Sequence, residues 1–213
     1  KKDLAMLGLG RSIGTTEAGL TADVIVVSDF AELDSLNNAV DGKIVLFDAP
    51  FTSYGETVKY RYKGADAASR YGAIASMIRS VGDYSMNTPH TGGMSYSGDE
   101  RKIPHSAITI EDALLLHWLY EHGHKPVVEI KMEASGWAET RNKLMTRAAA
   151  GDSVDVMMLD SDWPYQLCTA GALADMNKLA PKSYLDDNYQ ASLQTTTVGG
   201  KLCAVPNAVN SHG

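Results

Sequence analysis

Cysteine is nearly absent from this chain: two among 213 residues, Cys168 and Cys203. Two cannot build the dense disulfide framework of a small secreted scaffold. They read as buried thiols acting as small hydrophobes, with a mutual disulfide as the alternative, and they decide nothing about compartment. An excess of basic residues is also missing. Lys and Arg number 19 against 26 Asp and Glu, for a net charge of −7. That balance argues against nucleic acid as a partner, because a phosphate footprint needs clustered cations. The longest basic run, residues 59–63, is interleaved with Tyr60 and Tyr62 and reads as a solvated strand or loop. No apolar run approaches the roughly 20 residues that cross a bilayer, so no membrane span is expected. The opening Lys1-Lys2-Asp3-Leu4 has no signal-peptide core, which reads as a cytosolic chain or as a mature or excised segment.

What is present suits a buried core: 44% of residues are hydrophobic. Residues 4–14 are apolar and punctuated by glycine, but Thr15, Thr16 and Gly19 follow where a dinucleotide loop needs a helix, so no nucleotide site is expected. Residues 22–27 read as a strand, and 29–40 as a short helix capped by Ser28 or Asp29. Residues 44–47 form a continuous apolar run, the mark of a strand buried on both faces. After a polar, Tyr-rich loop, residues 64–71 read as an Ala-rich helix ended by Gly72, and 73–80 as the next strand. Residues 83–102 form a long loop of the kind that is usually functional or mobile. Thr109 then caps a helix over 110–122, with an acidic third residue close to a capping box. Leu114, Leu115, Trp118 and Leu119 read as its core stripe.

This first part resembles the protease-associated (PA) domain, most closely the PA domain inserted in carboxypeptidase Q-like zinc peptidases of the M28 family. The resemblance rests on residues 3–14, on Gly42-Lys-Ile-Val-Leu, on Thr57-Val-Lys-Tyr-Arg, on 72–81, on Pro89-His-Thr-Gly, and on Ile103-Pro104 followed by Ile108-Thr-Ile-Glu-Asp-Ala. It implies a β-rich sandwich or barrel with flanking helices. It also implies a non-catalytic role beside a peptidase catalytic domain, which would be a partner. The two zinc ions of that family sit in the catalytic domain, whose His-x-Asp motif is missing here, so no metal, no cofactor and no catalytic residue is expected. The six histidines read as scattered surface or loop residues. His90, in the long loop, is the exception: in an intact peptidase it could face the cleft.

Residues 126–137 read as a half-buried strand, with Val127, Val128, Ile130 and Met132 interrupted by Glu129 and Lys131. Beyond it, 137–150 reads as a helix ended by Gly151, 154–159 as a buried strand, and 164–169 as a helix ended by Gly171. That order suggests a βαβ unit, which binds ligands beyond the carboxyl ends of its strands. Residues 199–206 read as a tight turn and a short strand. This part resembles the N-terminal lobe of family 1 extracellular solute-binding proteins, the maltose-binding-like receptors of ABC importers. The carrying residues are Ala149-Ala-Gly-Asp-Ser-Val-Asp-Val, Asp160-Ser-Asp-Trp, Ala170-Gly-Ala-Leu-Ala-Asp and 200–210. The resemblance places Asp162, Trp163 and Asn210 at sugar-contact positions, since a carboxylate can bind vicinal hydroxyls and an indole can stack on a pyranose. From the residues alone, the favoured reading is Asp162 as a helix N-cap and Trp163 as a core anchor. The second lobe is absent, so any oligosaccharide binding would be weak.

The expected architecture is therefore mixed α/β, with a PA-like domain at 1–125 and a partial solute-binding lobe at 126–213. The two ancestries meet within a strand and without a linker, as in a chimera. The leading expectation is a non-catalytic binding or scaffold chain. The alternatives are a fragment of a secreted M28 peptidase lacking its catalytic domain and a fragment of a carbohydrate receptor. By resemblance the chain is secreted or periplasmic. An oligomer that covers the open face of the truncated lobe would fit as well.

Overall fold

The computed structural model describes residues 1–98, 100–152, 157, 159 and 162–206, without the side chains of 137–138. The chain divides into two compact units, Lys1–Ala134 and Ser135–Gly213.

The first unit is a six-stranded mixed sheet with helices on both faces. Its elements are β1 (Met6–Gly8), β2 (Leu20–Val27), α1 (Phe30–Leu36), β3 (Ile44–Phe47), α2 (Tyr54–Ser69), β4 (Ala75–Arg79), β5 (His105–Ile108), α3 (Ile110–Glu121) and β6 (Val127–Ile130). The strand order is β1-β5-β4-β3-β2-β6. The four central strands run parallel, and β1 and β6 close the edges antiparallel. Alternation along each strand divides the core. Val45 and Phe47 face α1 and α2, with Leu33, Ala65, Ala68 and Ala107. Ile44 and Leu46 face α3, with Ala113, Leu116, Val128 and Ile130. The sheet curls until its edges meet as a half-barrel: past β1, the Thr15 N–H donates to the carbonyl of Met132, just beyond β6, at 2.8 Å. The Met132 N–H returns to the Thr15 hydroxyl at 3.1 Å. A Cβ on Gly14 would stand 2.6 Å from the Met132 carbonyl oxygen, so this closure needs glycine there. The architecture is thus mixed α/β, as the sequence predicts.

In the first unit three helices start from side-chain caps. Asp29, Ser53 and Thr109 accept from the backbone N–H three residues on, at 2.8, 3.3 and 3.1 Å. The Ser53 cap explains one correction. Helix α2 begins at Tyr54, not at 64, because Ser53-Tyr-Gly-Glu56 is an N-terminal capping signal that outweighs the β preference of the tyrosines. Residues 59–63 are consequently helical rather than a solvated strand or loop, and Arg61 is buried. A second correction concerns α3. Its buried side carries Ile110, Ala113 and Leu116, whereas Leu114, Leu115 and Trp118 are 49%, 37% and 51% exposed. Only this register lets the Asp112 carboxylate reach the Ala5 N–H at 3.0 Å and the Lys2 ammonium. Asp112 is therefore spent on the N-terminal arm and does not close a capping box. A third correction is His105, which is fully buried in β5 rather than on the surface or in a loop. Its ring bonds the Ser76 hydroxyl at 2.8 Å and the Arg61 carbonyl at 3.1 Å.

The segment 126–137 supplies β6, whose Val128 and Ile130 are buried and whose Val127 and Glu129 are exposed. It pairs with β2, so this strand lies within the first compact unit.

The second unit contains α4 (Trp137–Ala149), α5 (Trp163–Thr169), α6 (Met176–Leu179), α7 (Lys182–Asp186), α8 (Gln190–Thr195), β7 (Thr197–Val198) and β8 (Lys201–Leu202). Gly151 and Gly171 end α4 and α5 in the left-handed region, as expected. β7 and β8 form a hairpin through Gly199-Gly200, both at positive φ, which a two-residue turn of this hand requires. The strand expected at 154–159 falls largely outside the described residues, and so does the βαβ unit that depends on it. The preference for free thiols is overturned: Cys168 and Cys203 form a disulfide, because the end of α5 packs beside the hairpin with 5.8 Å between the two Cα atoms.

Candidate functional site

The parallel strands β2, β3 and β4 end together, and the residue after β3 is Asp48, 2% exposed. Its N–H donates to the Val27 carbonyl at 2.9 Å, which continues the parallel pairing. Both carboxylate oxygens are used. Arg79 Nη1, at the end of β4, donates to Oδ1 at 3.2 Å, and His117 Nδ1, on α3, lies 2.5 Å from Oδ2. His117 Nε2 faces Glu121 Oε1, one turn on, at 3.4 Å. A buried carboxylate holding an imidazole by Nδ1 is half of a proton-relay arrangement. Here the outer nitrogen meets a carboxylate rather than a hydroxyl or thiol, so the cluster acts as a clamp that fixes α3 against the strand ends. Among the described residues no group of three or more His, Cys, Asp or Glu is placed to hold a metal.

The clamp sets which side of α3 looks outward. Leu114, Leu115 and Trp118 project to solvent, and the Trp118 indole stacks on His122, with ring centroids 4.2 Å apart. Sequence reasoning missed this face. The signal was the surplus itself, since α3 carries more large apolar residues than one stripe needs.

Of the residues singled out in the sequence, His90 is exposed at the start of the long loop's return. Its N–H donates to the Ser80 hydroxyl at 2.7 Å, and its Nδ1 lies 2.9 Å from the Val81 carbonyl. Asp162 is exposed and precedes α5 without a side-chain cap bond. Trp163, next to it, is only 5% exposed. Asn210 lies outside the described residues.

Known proteins similar to this chain include M28 peptidases and carboxypeptidase Q proteins. A peptidase M28 precursor from Shewanella amazonensis superposes with a TM-score of 0.59 at 29% identity, covering 62% of this chain and 31% of that one. The particular relatives are carboxypeptidase Q proteins. The one from Xenopus laevis is 52% identical over 134 residues, which is 63% of this chain. The human one is 44% identical over 137 residues, 64% of this chain. In both cases the chain spans 29% of the relative's length. Toward the C terminus, residues 120–213 match a family described as bacterial extracellular solute-binding protein.

Proposed function

We propose that this chain is a non-catalytic binding chain: its first unit is a protease-associated-type module that serves a peptidase catalytic domain, and its second is a partial solute-binding lobe. The observation that carries the first half is the 52% identity to carboxypeptidase Q over a stretch that makes up 29% of that enzyme. A module that accompanies catalysis without performing it needs a surface for its partner. The outward face of α3 supplies one, with Leu114, Leu115 and Trp118 exposed. The two ancestries meet within residues 126–137 on this reading.

The test is to titrate the full chain into the catalytic portion of a carboxypeptidase Q-type enzyme that lacks the matched stretch. Complex formation by size-exclusion chromatography, weakened by Trp118→Ser, supports the proposal. Absence of any complex and of any effect on peptide cleavage sinks it.

A second reading has its own support. The match to solute-binding proteins over 120–213 favours oligosaccharide contact at Asp162, Trp163 and Asn210. A thermal shift with maltodextrins tests it. A location outside the cell fits the described family and the Cys168–Cys203 disulfide, which persists in an oxidising compartment.

A further inference from the structure

Arg61 occupies the middle of the buried face of α2, between Thr57 and Ala65, and is 7% exposed. Its Nη2 donates to the Tyr54 hydroxyl at 2.8 Å, and its Cζ lies 5.5 Å from the centre of that ring. Its Nε and Nη1 are buried and have no protein acceptor among the described residues. A guanidinium cannot lose its proton to escape this situation, and a buried charge without a partner is costly.

What lies over the guanidinium is backbone. A Cβ on Gly92 would stand 2.5 Å from Cζ and 2.7 Å from Nη1. Gly92 is therefore the residue that lets main chain approach the cation. The turn is pinned on both sides. Gly10 N–H donates to Gly92 O at 2.8 Å, and Met94 N–H donates to Gly10 O at 3.0 Å. The N–H groups of Gly92 and Gly93 donate to no described backbone group. Gly93 is exposed, with open space where its side chain would be, and Tyr54 is 50% exposed, so solvent reaches Gly93 and the Tyr54 ring beside the buried guanidinium.

We propose that Arg61, with the Gly92–Gly93 turn, forms a binding site for a small carboxylate. Guanidinium N–H groups beside backbone amides that donate to no described backbone group, with no acidic side chain among the described residues paired to the guanidinium, are the donor set of an anion receptor. One guanidinium charge matches one carboxylate, and planar recognition is what arginine does better than lysine. The source assigned to it is the C terminus of a peptide. That assignment rests on the peptidase-accessory reading above, whereas carboxylate binding itself does not.

The experiment follows the Arg61 Nε–H and the Gly92 and Gly93 amide resonances of the full chain by NMR. The probes are acetate, inorganic phosphate, an N-acetylated dipeptide with a free C terminus, and its C-terminal amide. Saturable shifts with acetate and the free-acid peptide, absent with the amide and abolished in Arg61→Met, are expected. Arg61→Lys keeps the charge and should weaken binding by about tenfold, so it decides the matter if the methionine variant does not fold. Binding of acetate without the peptide leaves the site standing and removes its peptidase source. Shifts with phosphate alone, with none of the probes, or equally in the Arg61 variants overturn the site.

Discussion

The Asp48 carboxylate and the His117 imidazole are 69 residues apart in sequence and 2.5 Å apart between Oδ2 and Nδ1. That bond, with Arg79 on the other carboxylate oxygen, ties the end of β3 to α3 and to the end of β4. It decides which side of α3 is core and which is surface. The proposed docking face is therefore a consequence of where one buried carboxylate sits.

Removing the carboxylate should expose this dependence. In Asp48→Ala the partly buried Arg79 loses its counter-ion, and His117 loses its hold. The expected loss is about 3–5 kcal/mol, because a buried charge is left unpaired. Urea denaturation checks it. A loss below about 1 kcal/mol would mean the clamp carries no energetic weight.

The two sides of α3 should respond oppositely to truncation. Leu116→Ala, on the buried side, should cost about 2–5 kcal/mol. Leu114→Ser and Trp118→Ser, on the exposed side, should stay within about 0.5 kcal/mol of the parent chain. Equilibrium denaturation of the three variants distinguishes a surface patch from a misassigned core.

Burial pushes His105 down from 6.5 to about 4. The unfolded imidazole takes up a proton near 6.5, whereas the folded one resists until about 4. Between those values the unfolded state binds more protons, so stability falls as pH drops from 6.5 toward 4, and it is fully present above 6.5. The loss approaches about 3 kcal/mol at the low end. Denaturation midpoints at pH 7.5 and 5 measure it. His105→Asn, which does not titrate, should show a shallower pH dependence over that interval.

The disulfide spans 35 residues in sequence. On the chain-entropy account, its reduction should cost the second unit about 4 kcal/mol. Thermal denaturation with and without reductant, compared with Cys168→Ser, gives the magnitude. An unchanged transition would mean the bridge is not formed in solution.

Trp163 is buried at the start of α5. Trp163→Ala should therefore cost about 3–5 kcal/mol by leaving a cavity. A near-neutral variant that loses oligosaccharide binding would instead make the indole a ligand-facing ring.

Most of the fold was legible in local pattern. The continuous apolar run at 44–47, the capping residues Asp29 and Thr109, and Gly72, Gly123, Gly151 and Gly171 at helix ends each act within a few residues. These placed β2, β3, β4 and β6 and several helix ends, whereas β1 and β5 were not read as strands. The sequence also carried the likeness to M28 peptidases, because that likeness lies in ordered short motifs.

Tertiary structure alone decided how those elements use their side chains. Arg61 and His105 are buried because α2 crosses β5 at that point. Trp118 is exposed because Asp48 takes His117, and the edges of the sheet meet because Met132 reaches Thr15. Each is a contact between residues far apart in the chain. Periodicity and composition describe neighbours along the sequence, and they do not say which distant carboxylate, carbonyl or glycine a side chain will meet.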